Sequence, residues 1–217
     1  VHNLTVFDVG AFKVKFGGDV TDWNPEATPE AFLDRKEIKR LDRFSQFAQV
    51  ACYEAVNDSG IDFTKEDHWR CGVILGSGIG GLNEIEEQLA KMVHKGPDRV
   101  SPFTVPKMML NAAGGNISIR YGLKGVNYSV ATACASSNNA IGAAFRTIQY
   151  DDADVIITGG TEAAITPMSL ASFQNMKALS TRNEEPKRAS RPFDAERDGF
   201  VLSEGAGLLV MEELEHA

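Results

Sequence analysis

The chain has 217 residues, 43% hydrophobic and 24% charged, with a formal net charge of −8. That length is enough for one substantial core, and the negative balance argues against non-specific nucleic-acid binding as the main task. No apolar run approaches the ~20 residues of a membrane helix, no signal peptide opens the chain, and three widely spaced cysteines without a CxxC argue for a reducing compartment over a disulfide framework or a zinc site.

In chain order, the weak alternation at Phe12, Val14 and Phe16 predicts a short strand or hairpin. Thr21 to Pro29 is polar, holds two prolines and reads as a loop. Ile38, Leu41, Ala48, Ala51 and Ala55 fall on one helical face, which predicts a helix over Arg35 to Asp58 with Gly60 as its stop. A buried strand is predicted over Cys71 to Leu75, running into Gly76-Ser77-Gly78-Ile79-Gly80-Gly81, then a helix over Leu82 to His94. Further helices are predicted over Pro106 to Tyr121, ended by Gly122, and over Asn138 to Tyr150. Strands are predicted over Val126 to Val130 and over Asp154 to Thr158, the latter closed by Gly159-Gly160. Phe200 to Glu212 is β-rich around Glu204-Gly205-Ala206-Gly207. Alternating strands and helices predict an α/β fold, a parallel or mixed sheet under helical layers, as one domain over 1–217.

The most informative stretch is Thr132-Ala133-Cys134-Ala135-Ser136, with a strand entering and a helix leaving. Small neighbours permit a sharp turn that pushes the central side chain outward. A thiol at a helix N-terminus feels the positive end of the helix dipole, which favours thiolate, and free N–H groups there can hold an oxyanion. A free cysteine is most often a small buried hydrophobe, and the residues alone leave that reading of Cys134 open. Cys52, inside a helix, and Cys71, opening a strand, read as structural. His2, His68, His94 and His216 carry no motif and read as surface residues, so no proton-handling partner for the thiol is evident. The glycine loop matches GxGxxG. However, the ribose-binding acid expected ~20 residues on is replaced by Pro97-Asp98-Arg99 in a loop. A tight turn beside a substrate pocket is the better reading.

Taken together, several segments resemble the elongating β-ketoacyl-acyl carrier protein synthases (the synthase II class of condensing enzymes) in one order over essentially the whole chain. They are Thr132 to Ser136, Ser101-Pro102-Phe103-Thr104-Val105-Pro106, Asp154 to Glu162, Ala178-Leu179-Ser180-Thr181-Arg182-Asn183, Arg191-Pro192-Phe193-Asp194 and Arg197 to Leu202. The resemblance implies a thiolase-like αβαβα layered fold, of which this is the N-terminal, cysteine-bearing half truncated at both ends. It also implies a homodimer and a decarboxylative condensation on acyl carrier protein thioesters with no cofactor or metal. Cys134 would be the nucleophile. Ile79, Ala133 and Phe173 would line the acyl pocket, reached from the dimer partner by Thr104 and Val105. Lys36, Lys39, Arg40 and Lys177 would meet the acidic carrier protein, whereas the contact at Asp98 and Arg99 departs from the family pattern. Asp194, Arg197, Asp198 and Glu204 would serve as buried hydrogen-bond and ion-pair groups. The family's two histidines and lysine belong to the second half. Partners of nucleic acid or membrane type are not expected. The implied location is cytoplasmic, or plastid or mitochondrion if a targeting segment precedes the chain. A polyketide ketosynthase domain, a thiolase acting on coenzyme A esters and a non-catalytic partner or scaffold half are the alternatives.

Overall fold

Contacts within the chain divide it into two units, Val1–Asp22 with Ala163–Gly205 and Trp23–Glu162 with Ala206–Ala217. The computed structural model describes residues 1–21, 23 and 33–217. In chain order come β1 (His2–Asn3), β2 (Phe16–Gly17), α1 (Arg35–Arg40), α2 (Arg43–Ser59), β3 (Cys71–Gly76), α3 (Leu82–Lys95) and α4 (Thr104–Met108). There follow α5 (Ala112–Tyr121), β4 (Asn127–Val130), α6 (Ser136–Gln149), β5 (Val155–Glu162), α7 (Pro167–Asn175) and β6 (Gly205–Glu212).

The larger unit is built on a four-stranded sheet of order β4-β3-β5-β6. β3 runs parallel to β4, Val73 opposite Asn127, and parallel to β5, Cys71 opposite Val155 and Gly76 opposite Gly160. Ile74 and Ile156 share a core cluster with Ala140 and Ala144 of α6. Side chains alternate between faces along a strand, and Val73, on the other face, backs onto Gly114 of α5. Both faces are therefore covered, which is why the strands read as unbroken apolar runs. Val73, Ile74, Leu75, Val155, Ile156 and Ile157 are all buried. Each such side chain contributes roughly 1.5–3 kcal/mol relative to exposure, and together they anchor the sheet that carries the cysteine turn.

The smaller unit pairs β1 with β2 in antiparallel register, His2 opposite Gly17. Leu4, Val14, Phe16, Ile165, Leu170, Leu179, Ala189 and Leu202 form its core. Helix α7, which the sequence pattern does not announce, starts with Thr166 as a cap, its side chain accepting the Ser169 N–H, and with Pro167 in the first turn.

Three boundaries differ from expectation, each for a local reason. The helix predicted over Arg35 to Asp58 is two helices. Leu41 turns extended and Asp42 caps α2 by accepting the Phe44 N–H at 3.3 Å, competing with helix continuation. The helix predicted over Pro106 to Tyr121 is also two. Met109 is extended, and the Met108 carbonyl is taken by the Gly81 N–H at 3.2 Å. Strand β5 does not close at Gly159-Gly160 but runs to Glu162. A Cβ at Gly159 would lie 2.2 Å from the Gly207 carbonyl oxygen, and one at Gly160 would lie 2.7 Å from Ser137 Cβ. These glycines mark close approaches within a strand rather than its end. Gly60 and Gly122 end α2 and α5 in left-handed conformations as expected. The loop predicted over Thr21 to Pro29 lies almost wholly outside the described residues.

Candidate active site

β4 ends at Val130 and α6 begins at Ser136, so the chain reverses through Thr132-Ala133-Cys134-Ala135. Ala133 takes φ +52°, a conformation uncommon for a residue with a Cβ and concentrated at functional sites. The strained residue is thus the small one just before the cysteine. Ser136 holds the turn from below: its buried hydroxyl accepts the Thr132 N–H at 2.9 Å and donates to the Ala133 carbonyl at 2.6 Å. Asn139, one turn into α6, donates to Thr132 Oγ1 at 2.6 Å. Cys134 is exposed, and no side chain caps the first turn of α6. The Ala135 and Ser136 N–H groups beside it donate within the turn, to the Thr132 and Ala133 carbonyls at 3.1 Å each, so what the thiol gains from α6 is the positive end of the helix dipole. The turn seats this low because Gly76, which ends β3, and Gly160, inside β5, carry no Cβ. A Cβ at Gly76 would lie 2.3 Å from the Ser136 carbonyl carbon, and Gly160 backs onto Ser137.

The glycine loop lies against this turn: a Cβ at Gly78 would sit 3.6 Å from the Ala133 oxygen. Glu162, the last residue of β5, holds the loop. Its carboxylate accepts the Gly78 N–H at 2.6 Å, the Ile79 N–H at 3.3 Å and the Ser77 hydroxyl at 3.1 Å. Ser77 Oγ in turn accepts the Gly80 N–H at 3.1 Å. The N–H groups that a pyrophosphate would need are already bound to a protein carboxylate of the same sign, so the loop is a turn and not a dinucleotide cradle. Ile79, at its tip, is exposed. Glu162 is the functional group that pattern reading passed over. The available signal was a lone carboxylate closing an otherwise apolar, glycine-bearing strand.

Two further elements belong to this unit. Lys36, Lys39 and Arg40 are exposed on α1. That short helix starts with a full capping box, Asp34 with Glu37, and is tied down by the Glu37–Arg120 ion pair. The guanidinium of Arg40 lies over the Phe103 ring, 5.5 Å from its centroid. Next to Phe103, α4 carries Thr104, half-buried, and Val105, exposed.

The chain matches the Beta-ketoacyl synthase, N-terminal domain family over residues 8–217. It belongs to that family. It is 50% identical over 214 residues to a 3-oxoacyl-[acyl-carrier-protein] synthase 2 of Synechocystis sp., covering 99% of this chain and 50% of that protein. A crystal structure of a beta-ketoacyl synthase from Burkholderia phymatum superposes with a TM-score of 0.82 at 33% identity, over 94% of this chain and 49% of that one. A type II polyketide ketosynthase bound to its acyl carrier protein superposes with a TM-score of 0.77 at 25% identity, over 92% and 54% of the two chains. The chain thus spans about half the length of the relatives it matches, and its α/β fold is thiolase-like.

Phe173, on α7 of the smaller unit, packs against that unit's core and stands edge-on to Phe200, centroids 5.3 Å apart. Lys177 is exposed just beyond α7 at φ +57°. Arg99 is exposed near the end of α3, beside Lys91 and Lys95. Of the family-motif charges, Asp198 accepts the Thr181 N–H and pairs with Arg182, Asp194 pairs with Arg191, Arg197 donates to the Asp194 carbonyl and Glu204 accepts the Val20 N–H. None of the four is buried as expected: Arg197 and Asp198 are exposed, and Asp194 and Glu204 are half-buried.

Among the described residues no histidine hydrogen-bonds the cysteine turn. His68 is not a free surface residue: its ring nitrogens each lie 2.8 Å from a carbonyl, Gly122 and Phe63. His2 pairs with Asp19, and His216 with Glu212 and Glu66. Cys52 and Cys71 are buried, and burial pushes their thiols up to about 12 and about 11. Among the described residues, no group of three metal-binding side chains is assembled and no helix is long and apolar enough to cross a membrane.

Proposed function

We propose that the protein to which this chain belongs is an elongating 3-oxoacyl-acyl carrier protein synthase of fatty acid synthesis, with Cys134 as its acyl acceptor. The carrying observation is that Cys134 alone of three cysteines is exposed, on a strained turn at an uncapped helix N-terminus. In the first half-reaction the Cys134 thiolate attacks the acyl thioester, the carrier's thiol leaves, and a new thioester forms on the enzyme. The carbonyl oxygen, negative in the tetrahedral intermediate, is favoured by the positive end of the α6 dipole. In the second, malonyl-acyl carrier protein loses carbon dioxide. Its carbanion attacks the Cys134 thioester, and the thiolate departs from a chain two carbons longer. The histidines that the resemblance assigns to the second half serve that decarboxylation.

The exposed cations of α1 suit an acidic carrier protein, and Lys177 is an exposed cation of the smaller unit. The 50% identity to a 3-oxoacyl-[acyl-carrier-protein] synthase 2, against 25% to a polyketide ketosynthase, supports the fatty acid pathway. β4 is an edge strand with Asn127 and Tyr128 exposed, a surface that supports a homodimer. Three unpaired thiols suit a reducing compartment such as the cytoplasm. The test is condensation by the full-length protein: acyl- and malonyl-acyl carrier protein together should yield the 3-oxoacyl product, and Cys134→Ala should abolish it. Undiminished product from the folded variant would refute the assignment.

A further inference from the structure

Thr132, Ala133, Cys134 and Ala135 are four consecutive exposed residues, so burial does little to fix the turn that carries the thiol. Its geometry comes from hydrogen bonds and from the helix it runs into. Helix α6 is a fixed platform. Its Ala140 and Ala144 share a core cluster with Ile74 of β3 and Ile156 of β5, and Gly76 closes on the backbone of Ser136 and Ser137. Ser136, the first residue of that platform and buried, sends two donors back to one acceptor. Its N–H reaches the Ala133 carbonyl at 3.1 Å, and its hydroxyl reaches the same oxygen at 2.6 Å. The hydroxyl also accepts the Thr132 N–H at 2.9 Å, so it donates and accepts within the turn. The Ala133 carbonyl shares a rigid peptide plane with the Cys134 nitrogen. Fixing that oxygen therefore fixes how the backbone enters Cys134. Ala133 sits at φ +52°, a conformation that persists only where its surroundings enforce it. Asn139 adds one tie from the next turn of α6, its Nδ2 donating to Thr132 Oγ1 at 2.6 Å.

We infer that Ser136, seconded by Asn139, is a positioning residue for acyl transfer: it holds the turn so that the Cys134 sulfur lies where a docked thioester carbonyl arrives. This rests on the acyl-transfer reading of Cys134. Ser136 acts through Ala133 and Thr132, from beneath the turn. A docked carrier protein presents its thioester from one direction, whereas a small alkylating reagent approaches from many. Misplacing the sulfur therefore slows acylation far more than alkylation.

The experiment follows single-turnover acylation of the full-length protein by acyl-acyl carrier protein over a range of substrate concentrations, beside alkylation by iodoacetamide. In Ser136→Ala the maximal acylation rate should fall on the order of a hundredfold, the scale of a 1 Å misplacement. The half-saturating concentration, the iodoacetamide rate and the unfolding midpoint should stay near those of the parent. Acylation should still run to one acyl group per chain, which a loss of folded protein would not allow. If Ser136→Ala does not fold, Asn139→Ala decides, because its side chain is exposed. It should show the same pattern with a loss of roughly fivefold, the scale of one neutral hydrogen bond. A parent-like acylation rate in the folded variant, or alkylation slowed in proportion to acylation, overturns the inference while acylation of Cys134 in the parent stands. A parent that does not acylate Cys134 sinks the acyl-transfer reading and this inference with it.

Discussion

Glu162 Oε2 accepts the Gly78 N–H at 2.6 Å, so the end of β5 and the turn after β3 are joined beside the cysteine. The same carboxylate takes the Ile79 N–H and the Ser77 hydroxyl. Hydrogen bonds to a charged acceptor contribute roughly 1.5–3 kcal/mol each, and they are shared here among three donors on one loop. Glu162→Ala should therefore destabilise the protein by roughly 2 kcal/mol, read as a lowered urea midpoint. Glu162→Gln, which keeps an acceptor oxygen, should lose less. Equal midpoints for Ala and parent would show that the loop holds without the carboxylate.

Gly76→Ala should cost acylation as well as stability. Its Cβ would meet backbone atoms of Ser136 and Ser137 at 2.3–2.5 Å, and overpacking costs about 1–3 kcal/mol. The neighbour forced to move is the helix start that carries the thiol. Gly160→Ala meets a side-chain atom, Ser137 Cβ at 2.7 Å, and should be the milder of the two. Thermal melts and acylation rates of both variants check this order.

The fold was legible where one principle acted alone. Buried strands read as Val-Ile-Leu runs, and Gly60 and Gly122 stopped helices where expected. It was illegible where a side chain competed with the pattern. Asp42 split an amphipathic run because a cap can outcompete helix continuation. The Met108 carbonyl left its helix for the Gly81 N–H, a contact distant in sequence. The cysteine turn was legible from its small residues. The groups holding it, Ser136 below and Glu162 beside, were not, because their partners come together only in the folded chain.

Alkylation should separate the three thiols. Cys134 is exposed, while Cys52 and Cys71 are buried with thiols pushed up to about 12 and about 11. At pH near 8 the native protein should take its alkyl label on Cys134 before either of the others, since thiolate is the reactive form. Cys134→Ser should remove that fast label. Fast labelling of Cys52 in the native state would contradict the burial described.

Arg70 binds Asp154 through two nitrogens, at 2.7 and 2.6 Å. That bond is the main reason the Asp154 carboxyl lies below its ordinary value. A depressed carboxyl contributes stability above the unfolded pKa of about 3.9 and loses it as pH falls through the folded value. Asp154→Asn should therefore be less stable than the parent at neutral pH, and the gap should close in acid below about pH 4. Unfolding midpoints across that range test it, and a gap that widens in acid would reverse the sign.

The account turns on the thiol of Cys134 as the acyl acceptor. Its most direct test is intact mass of the full-length protein after incubation with acyl-acyl carrier protein alone, followed by peptide mapping. The account predicts one acyl group per chain, mapped to Cys134 and absent from Cys134→Ala. An unmodified mass from a folded, full-length protein, or an adduct mapped to another residue, would contradict it.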